Sequence, residues 1–163
     1  MKRILIAAVL LFELLSNVPR LESQELILQG ESGTQVVLSR TDLAALSQVK
    51  VSVTDHATKG QVTYEGVSLS SVLERGGVSL GESLKGKRFA SCLLAEAADG
   101  YRVVIALPEL DPAFTDQQIL LAFRRDGKPL DDKEGPYRIV MPAEKRVARW
   151  VRQIQKLKIV NVE

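Results

Sequence analysis

Apolar and polar positions change period several times along this chain, and the changes divide it into short elements. Ile4 to Phe12 is an unbroken apolar run, extended by Leu14 and Leu15 beyond Glu13. After it, Leu26-Ile27-Leu28 and Val36-Val37-Leu38 flank Gly30-Glu31-Ser32-Gly33, a strand-turn-strand signature. Thr41 is placed to cap a short helix over 42–47, with Leu43 and Leu46 on one face. Val49, Val51 and Val53 alternate with Lys50, Ser52 and Thr54, the period-two mark of a strand. A turn over 57–61 leads to a returning strand at Val62-Thr63-Tyr64, and Gly66 reads as a tight corner.

Ser68 caps the next predicted helix, whose Leu69, Val72 and Leu73 keep helical spacing, and Gly76-Gly77 ends it. A loop over 80–88 precedes an apolar strand over 89–95. Asp99-Gly100 turns that strand back into 102–107, a strong hairpin cue. Leu107 to Leu110 is a short helical segment, and Asp111-Pro112 to Asp116 a loop. Strands follow over 119–123 and 137–141, separated by the Asp126-Gly127-Lys128-Pro129 turn. Val147, Trp150, Val151 and Ile154 fit a helical stripe, and Leu157, Ile159 and Val160 a last strand. The order predicts one α+β domain with mixed, largely antiparallel sheets and short helices.

Charge sharpens the picture at both ends. Lys2 and Arg3 precede the apolar run, which is too short to span a bilayer and suits a signal-peptide core. Residues 1–23 are expected to be a signal peptide or N-terminal anchor, residues 24–163 the domain, and the location periplasmic or secreted. No membrane span is expected once the leader is cleaved. Glu13 interrupts the run, and no Ala-x-Ala site follows. Cleavage would remove Lys2, Arg3 and Arg20 against Glu13 and Glu22, so the mature domain is close to neutral. The whole chain has a formal charge of +2 and 5% aromatic residues, which excludes the basic, stacking surface a nucleic acid needs. Cys92 is the single cysteine, so no intrachain disulfide forms, and its apolar run marks it as a small packed side chain.

Candidate chemistry concentrates near the C-terminus. The turn Glu134-Gly135-Pro136 delivers Arg138 to an apolar strand, and Lys145, Arg146, Arg149 and Arg152 surround Trp150. A guanidinium beside a tight turn either grips a phosphate or carboxylate with two parallel hydrogen bonds or pairs with Glu134 or a nearby Asp. The remaining cations either cradle an anion or form a solvated face. Tyr101 is a candidate wall of the same pocket, Asp99 sets the hairpin turn, and Trp150 reads as a core anchor. His56 has no partner cysteine for a metal site, and a Ser-His-Asp triad drawn through it has no G-x-S-x-G motif to support it.

The order of these signals resembles the molybdopterin-binding domain of the sulfite oxidase family. The resemblance runs from about Val49 to Val160. It is carried by Tyr64-Glu65-Gly66-Val67-Ser68-Leu69 with Val72-Leu73, Ala98-Asp99-Gly100-Tyr101 and Leu120-Leu121-Ala122. Asp126-Gly127-Lys128-Pro129-Leu130, Glu134-Gly135-Pro136-Tyr137-Arg138, Val140, Pro142 and Arg149-Trp150-Val151 continue it. It implies a sulfite-oxidase-like fold and a site for a pterin cofactor whose dithiolene, with one cysteine thiolate, holds molybdenum. The cysteine is expected before the Tyr/Trp-Gly-Val-x-Leu motif, yet residues 49–63 contain none, and His56 is the only soft candidate there. Glu134 stands where the family's His-Gly-x-Pro-x-Arg pattern has histidine, in a segment one residue shorter; Arg138 matches the arginine. Arg149 replaces the usual lysine before the tryptophan, and Ala143 the usual glycine.

The resemblance and the residues together predict an exported molybdopterin-binding-like domain of an oxidoreductase superfamily. It would bind molybdopterin, another pterin-type molecule or another anionic small molecule through Tyr101, Arg138, Lys145, Arg146 and Arg149. No protein-held metal and no sulfite oxidase activity are expected. The alternative is a non-enzymatic periplasmic module that holds a partner protein on the same scaffold.

Overall fold

The computed structural model describes residues 25–55 and 58–162. The expected leader and His56 lie outside the described residues.

Two five-stranded sheets share one core. The first has β1 (Leu26–Gln29), β2 (Gln35–Leu38), β5 (Cys92–Ala97), β6 (Arg102–Ala106) and β10 (Ile154–Val160), in the order β2-β1-β10-β5-β6. Only its β1–β10 pairing is parallel. The second is antiparallel: β3 (Gln48–Thr54), β4 (Gln61–Ser68), β7 (Leu120–Arg125) and β8 (Lys128–Pro129) follow in that order, and β9 (Arg138–Val140) also pairs with β7. Three short helices, α1 (Arg40–Ala44), α2 (Leu69–Arg75) and α3 (Leu107–Leu110), join the strands. Leu28, Leu93, Ile105 and Leu157 of the first sheet and Tyr64, Val67, Leu121 and Ile139 of the second are buried in one cluster. This is the expected α+β architecture. Among the described residues, no helix is long and apolar enough to cross a membrane.

Several boundaries follow the local chemistry read from the sequence. Ser68 accepts the Ser71 N–H at 3.1 Å and caps α2, and Gly77 follows it with φ +86°. Asp99 accepts the Tyr101 N–H at 2.9 Å and sets the β5–β6 hairpin.

Other boundaries move. Ser39, not Thr41, caps α1: its hydroxyl accepts the Asp42 N–H at 3.1 Å, while the Asp42 carboxylate accepts the Ser39 N–H at 3.0 Å. A reciprocal capping box satisfies two free donors where Thr41 alone would satisfy one. Gly66 is no corner. It lies inside β4 at a register shift, where a Cβ would overlap the Leu121 carbonyl of β7. The strand expected from Phe89 starts at Cys92, because 86–90 form a 3-10 turn that leaves Phe89 exposed. Residues 147–154 are not a helix. They form a 3-10 turn over Val147–Arg149, then an extended run into β10, with Gln153 at φ +50°. A left-handed residue is incompatible with a continuing α-helix.

Candidate functional site

The seam between the two sheets is built by β9. Its Arg138 and Ile139 pair with Ala122 and Leu121 of β7, while the Ile139 N–H donates to the Val151 carbonyl at 2.8 Å. The Ile154 N–H donates to the Tyr137 carbonyl at 3.0 Å, completing the link to β10. Tyr137 and Ile139 point into the core and are fully buried. Alternation sends Arg138 the other way, yet it too is buried, with 9% of its surface exposed.

A guanidinium buried this deeply needs partners. Arg138 Nη1 donates to Glu134 Oε1 and to the Tyr64 hydroxyl at 3.1 Å. Its guanidinium carbon lies 5.4 Å from the centre of the Tyr64 ring and 5.7 Å from that of Trp150, within cation–π range. The two rings meet edge to face, 6.1 Å apart. Arg138 Nε is buried and has no hydrogen-bond partner. Arg125 converges on the same carboxylate, donating to Glu134 Oε1 at 3.1 Å and to Asp55 Oδ2 at 2.6 Å. Asp55, Arg125, Glu134, Arg138 and Tyr64 thus form one chain of contacts in which two cations meet two carboxylates.

The environment moves two of these groups. Burial raises the Tyr64 hydroxyl above its ordinary pKa, and the nearby Arg138 charge only partly opposes this. Burial also works against the Arg125 cation, but Tyr64, Glu134 and Asp55 outweigh it and raise that pKa.

Two hollows open on either side of this chain. One, of about 380 Å³, is walled by Asp99, Tyr101, Glu134, Arg138, Trp150 and Arg152. The other, of about 250 Å³, is walled by Asp55, Tyr64 and Arg125 and again by Glu134, Arg138 and Trp150. Tyr101 stands at the first mouth and donates its hydroxyl to the Ala148 carbonyl at 2.8 Å.

The sequence matches the family described as "Oxidoreductase molybdopterin binding domain" over residues 16–163. The chain belongs to the oxidoreductase molybdopterin-binding domain family. Its fold is shared with a solved structure: the crystal structure of the sulfane dehydrogenase SoxCD from Paracoccus pantotrophus superposes with a TM-score of 0.64 at 20% identity. That match covers 85% of this chain and 38% of the other, so this chain spans well under half of that relative. No curated protein matches it.

Within this molybdopterin-domain scaffold, the five residues singled out from the sequence separate. Tyr101 and Arg138 are walls of the larger hollow. Arg149 pairs instead with Glu144 and, at 3.1 Å, with Glu109. Its hydrogen bond with Glu144 is the main cause of its raised pKa. Lys145 and Arg146 are exposed and line neither hollow. The residues do not share a helical face because 145–152 is not a helix. Arg152 is the basic residue of that run that reaches the hollow. Trp150 is the expected core anchor, its indole N–H donating to the Met141 carbonyl at 3.0 Å. Asp55, Tyr64 and Arg125 were not singled out as site residues. No local signal marks the Asp55–Arg125 contact, whose partners are 70 residues apart.

The described residues do not fit a protein-ligated molybdenum. Cys92 is half-buried on β5, paired with Ala106 and Val160, and lines neither hollow. Among the described residues no group of three or more His, Cys, Asp or Glu is placed to hold a metal ion. Of the carboxylates on the hollow walls, Asp55 and Glu134 are committed to guanidinium groups, and Asp99 accepts the Tyr101 N–H in its own turn. No chemical step through such a metal follows from these side chains.

Proposed function

We propose that this chain is an exported binding module of the molybdopterin-domain family, without sulfite oxidase activity of its own, and that its Tyr101–Arg138 hollow takes a pterin-type molecule bearing an acidic substituent. The observation that carries the reading is the composition of the wall. Asp99 and Glu134 supply carboxylate acceptors, Trp150 an aromatic surface, and Arg152 a cation without an ion-pair partner among the described residues. Both contacts to Glu134 fall on Oε1, so Oε2 is left to accept from a ligand. A planar heterocycle with a donor-rich edge and an acidic group has complementary chemistry.

Trp150 is the single tryptophan, so its fluorescence reports the hollow directly. Titration with a carboxylated pterin is expected to quench it saturably, and Arg152→Ala to weaken the binding. Protein exported by a host that makes the cofactor should release a pterin on denaturation without stoichiometric molybdenum. Absence of both released pterin and saturable quenching would remove the reading. Mass spectrometry of the exported fraction tests the leader: a shortened N-terminus is expected.

A second reading, a module that holds a periplasmic protein partner, has one observation in its favour. Phe89 and Phe114, 46% and 47% exposed, meet edge to face at 5.3 Å on the surface. Recovery of one consistent partner, lost in Phe89→Ser/Phe114→Ser, would favour it over the pterin reading.

A further inference from the structure

We infer that Glu134 determines what the larger hollow accepts: its carboxylate closes the Arg138 guanidinium to oxyanions such as phosphate or sulfate and offers its second oxygen to hydrogen-bond donors. The inference deepens the ligand-site reading above and rests on it for the identity of the donor-bearing ligand.

Arg138 would otherwise be a natural oxyanion site. It is buried, it walls both hollows, and aromatic rings flank it. A guanidinium in such surroundings binds phosphate or carboxylate strongly because its charge is poorly screened. The position is already taken. Glu134 sits four residues before Arg138 and contacts its Nη1.

That carboxylate does not hang on a loose loop. The Glu134 N–H donates to Asp131 Oδ1 at 3.0 Å and to the Asp131 carbonyl at 3.1 Å. The Glu134 carbonyl accepts the Gln153 N–H at 3.0 Å, and Arg125 holds the same Oε1 from a third side. An incoming oxyanion therefore competes with an intramolecular carboxylate at high effective concentration. It also enters beside the negative charges of Asp55 and Glu134 in one hollow and of Asp99 and Glu134 in the other. These like charges disfavour an oxyanion at Arg138, whereas the acidic substituent of the proposed ligand meets Arg152.

The closure is incomplete in a telling way. Glu134 reaches Nη1 only, and Nε is buried without a partner. A guanidinium whose contacts to Glu134 and Tyr64 both fall on Nη1 keeps donor capacity that a bidentate oxyanion could use. A neutral side chain at position 134 would open the fork. The charge at this one position thus switches the subsite between oxyanion acceptance and donor acceptance.

The test is titration of the full chain with sodium sulfate and with inorganic phosphate at constant ionic strength, read by Trp150 fluorescence and by thermal stabilisation. The wild-type protein is expected to show no saturable response. Glu134→Gln is expected to bind with a Kd of about 1 mM, at least about tenfold tighter than wild type, and Glu134→Gln/Arg138→Met to lose the gain. Saturable oxyanion binding by wild type that Arg138→Met abolishes would overturn the inference, as would a folded Glu134→Gln with no gain. If Glu134→Gln does not fold, Glu134→Asp draws the carboxylate back by one methylene while keeping the charge opposite Arg125. A partial gain then supports the inference, and none overturns it. The carboxylated-pterin titration is read separately. Oxyanion gain in Glu134→Gln with no pterin binding in either form would defeat the ligand reading and leave the role of Glu134 standing.

Discussion

The Tyr101 hydroxyl donates to the Ala148 carbonyl at 2.8 Å, joining residues 47 apart in sequence across the mouth of the larger hollow. The contact fastens the β5–β6 hairpin to the 3-10 turn that leads to Trp150. Tyr101 is 49% exposed, so the bond competes with water and its net worth is modest. Tyr101→Phe keeps the ring and removes the bond. It is expected to cost about 1 kcal/mol in urea denaturation and to speed amide exchange at Arg149 to Val151, with little change in the first sheet away from the hairpin. Unchanged exchange there would show that the turn is held by its own backbone.

Gly66 leaves no room for a side chain between β4 and β7. A Cβ would overlap the Leu121 carbonyl and crowd the Ala122 Cα at 2.7 Å, both backbone atoms of fully buried residues of β7. Backbone cannot rotate aside as a side chain can. Gly66→Ala is therefore expected to destabilise by about 3 kcal/mol or more, or to leave the protein insoluble. A urea midpoint close to wild type would mean that the sheet separates there at little cost.

What could be read from the sequence was whatever local chemistry decides. The β3 alternation, the Ser68 cap and the Asp99-Gly100 hairpin each rest on neighbours within a few residues, and each is found in the fold. The 147–154 stripe misled because its three buried members, Trp150, Val151 and Ile154, reach the core for separate reasons, while Val147 is exposed. Trp150 is held by the Met141 carbonyl, Val151 accepts from Ile139, and Ile154 starts β10. The site followed the same rule. Arg138 and Arg149 were legible, Arg125 was not, and the carboxylates that neutralise these cations were not all nearby. Glu109 reaches Arg149 from 40 residues away, and Asp55 reaches Arg125 from 70. Charge counted along a segment therefore overstates the charge of the hollow.

The capping box of α1 ties stability to pH. The Asp42 carboxyl is held below its ordinary value, first by the Ser39 hydroxyl, then by the Ser39 backbone N–H and the Arg75 guanidinium, the last at 2.8 Å. A depressed folded-state pKa gives stabilisation that is complete above the unfolded value of about 4 and is lost as pH falls through the lowered value. Asp42→Asn removes this dependence. Wild type is thus expected to exceed Asp42→Asn in urea midpoint near about pH 7, with the gap closing toward about pH 3. A gap independent of pH would show that the carboxylate charge contributes nothing to the cap.

Arg138 and Glu134 are expected to behave as one unit in stability as well as in binding. Arg138→Met removes the partner of the Tyr64 hydroxyl and one of the two cations on Glu134. Removing one member of a buried ion pair costs about 3–5 kcal/mol, and Arg125, which still holds Glu134, should keep the loss near the lower end at about 3 kcal/mol. Glu134→Gln added to Arg138→Met removes a carboxylate that has lost half its compensation, so the double variant should lose less than the two single costs combined. Urea denaturation of the wild type, both single variants and the double variant closes the cycle. A coupling of more than about 1 kcal/mol is expected. Strictly additive costs would mean that the contact between the two side chains stabilises nothing, and that Arg138 is held by its rings and the Tyr64 hydroxyl alone.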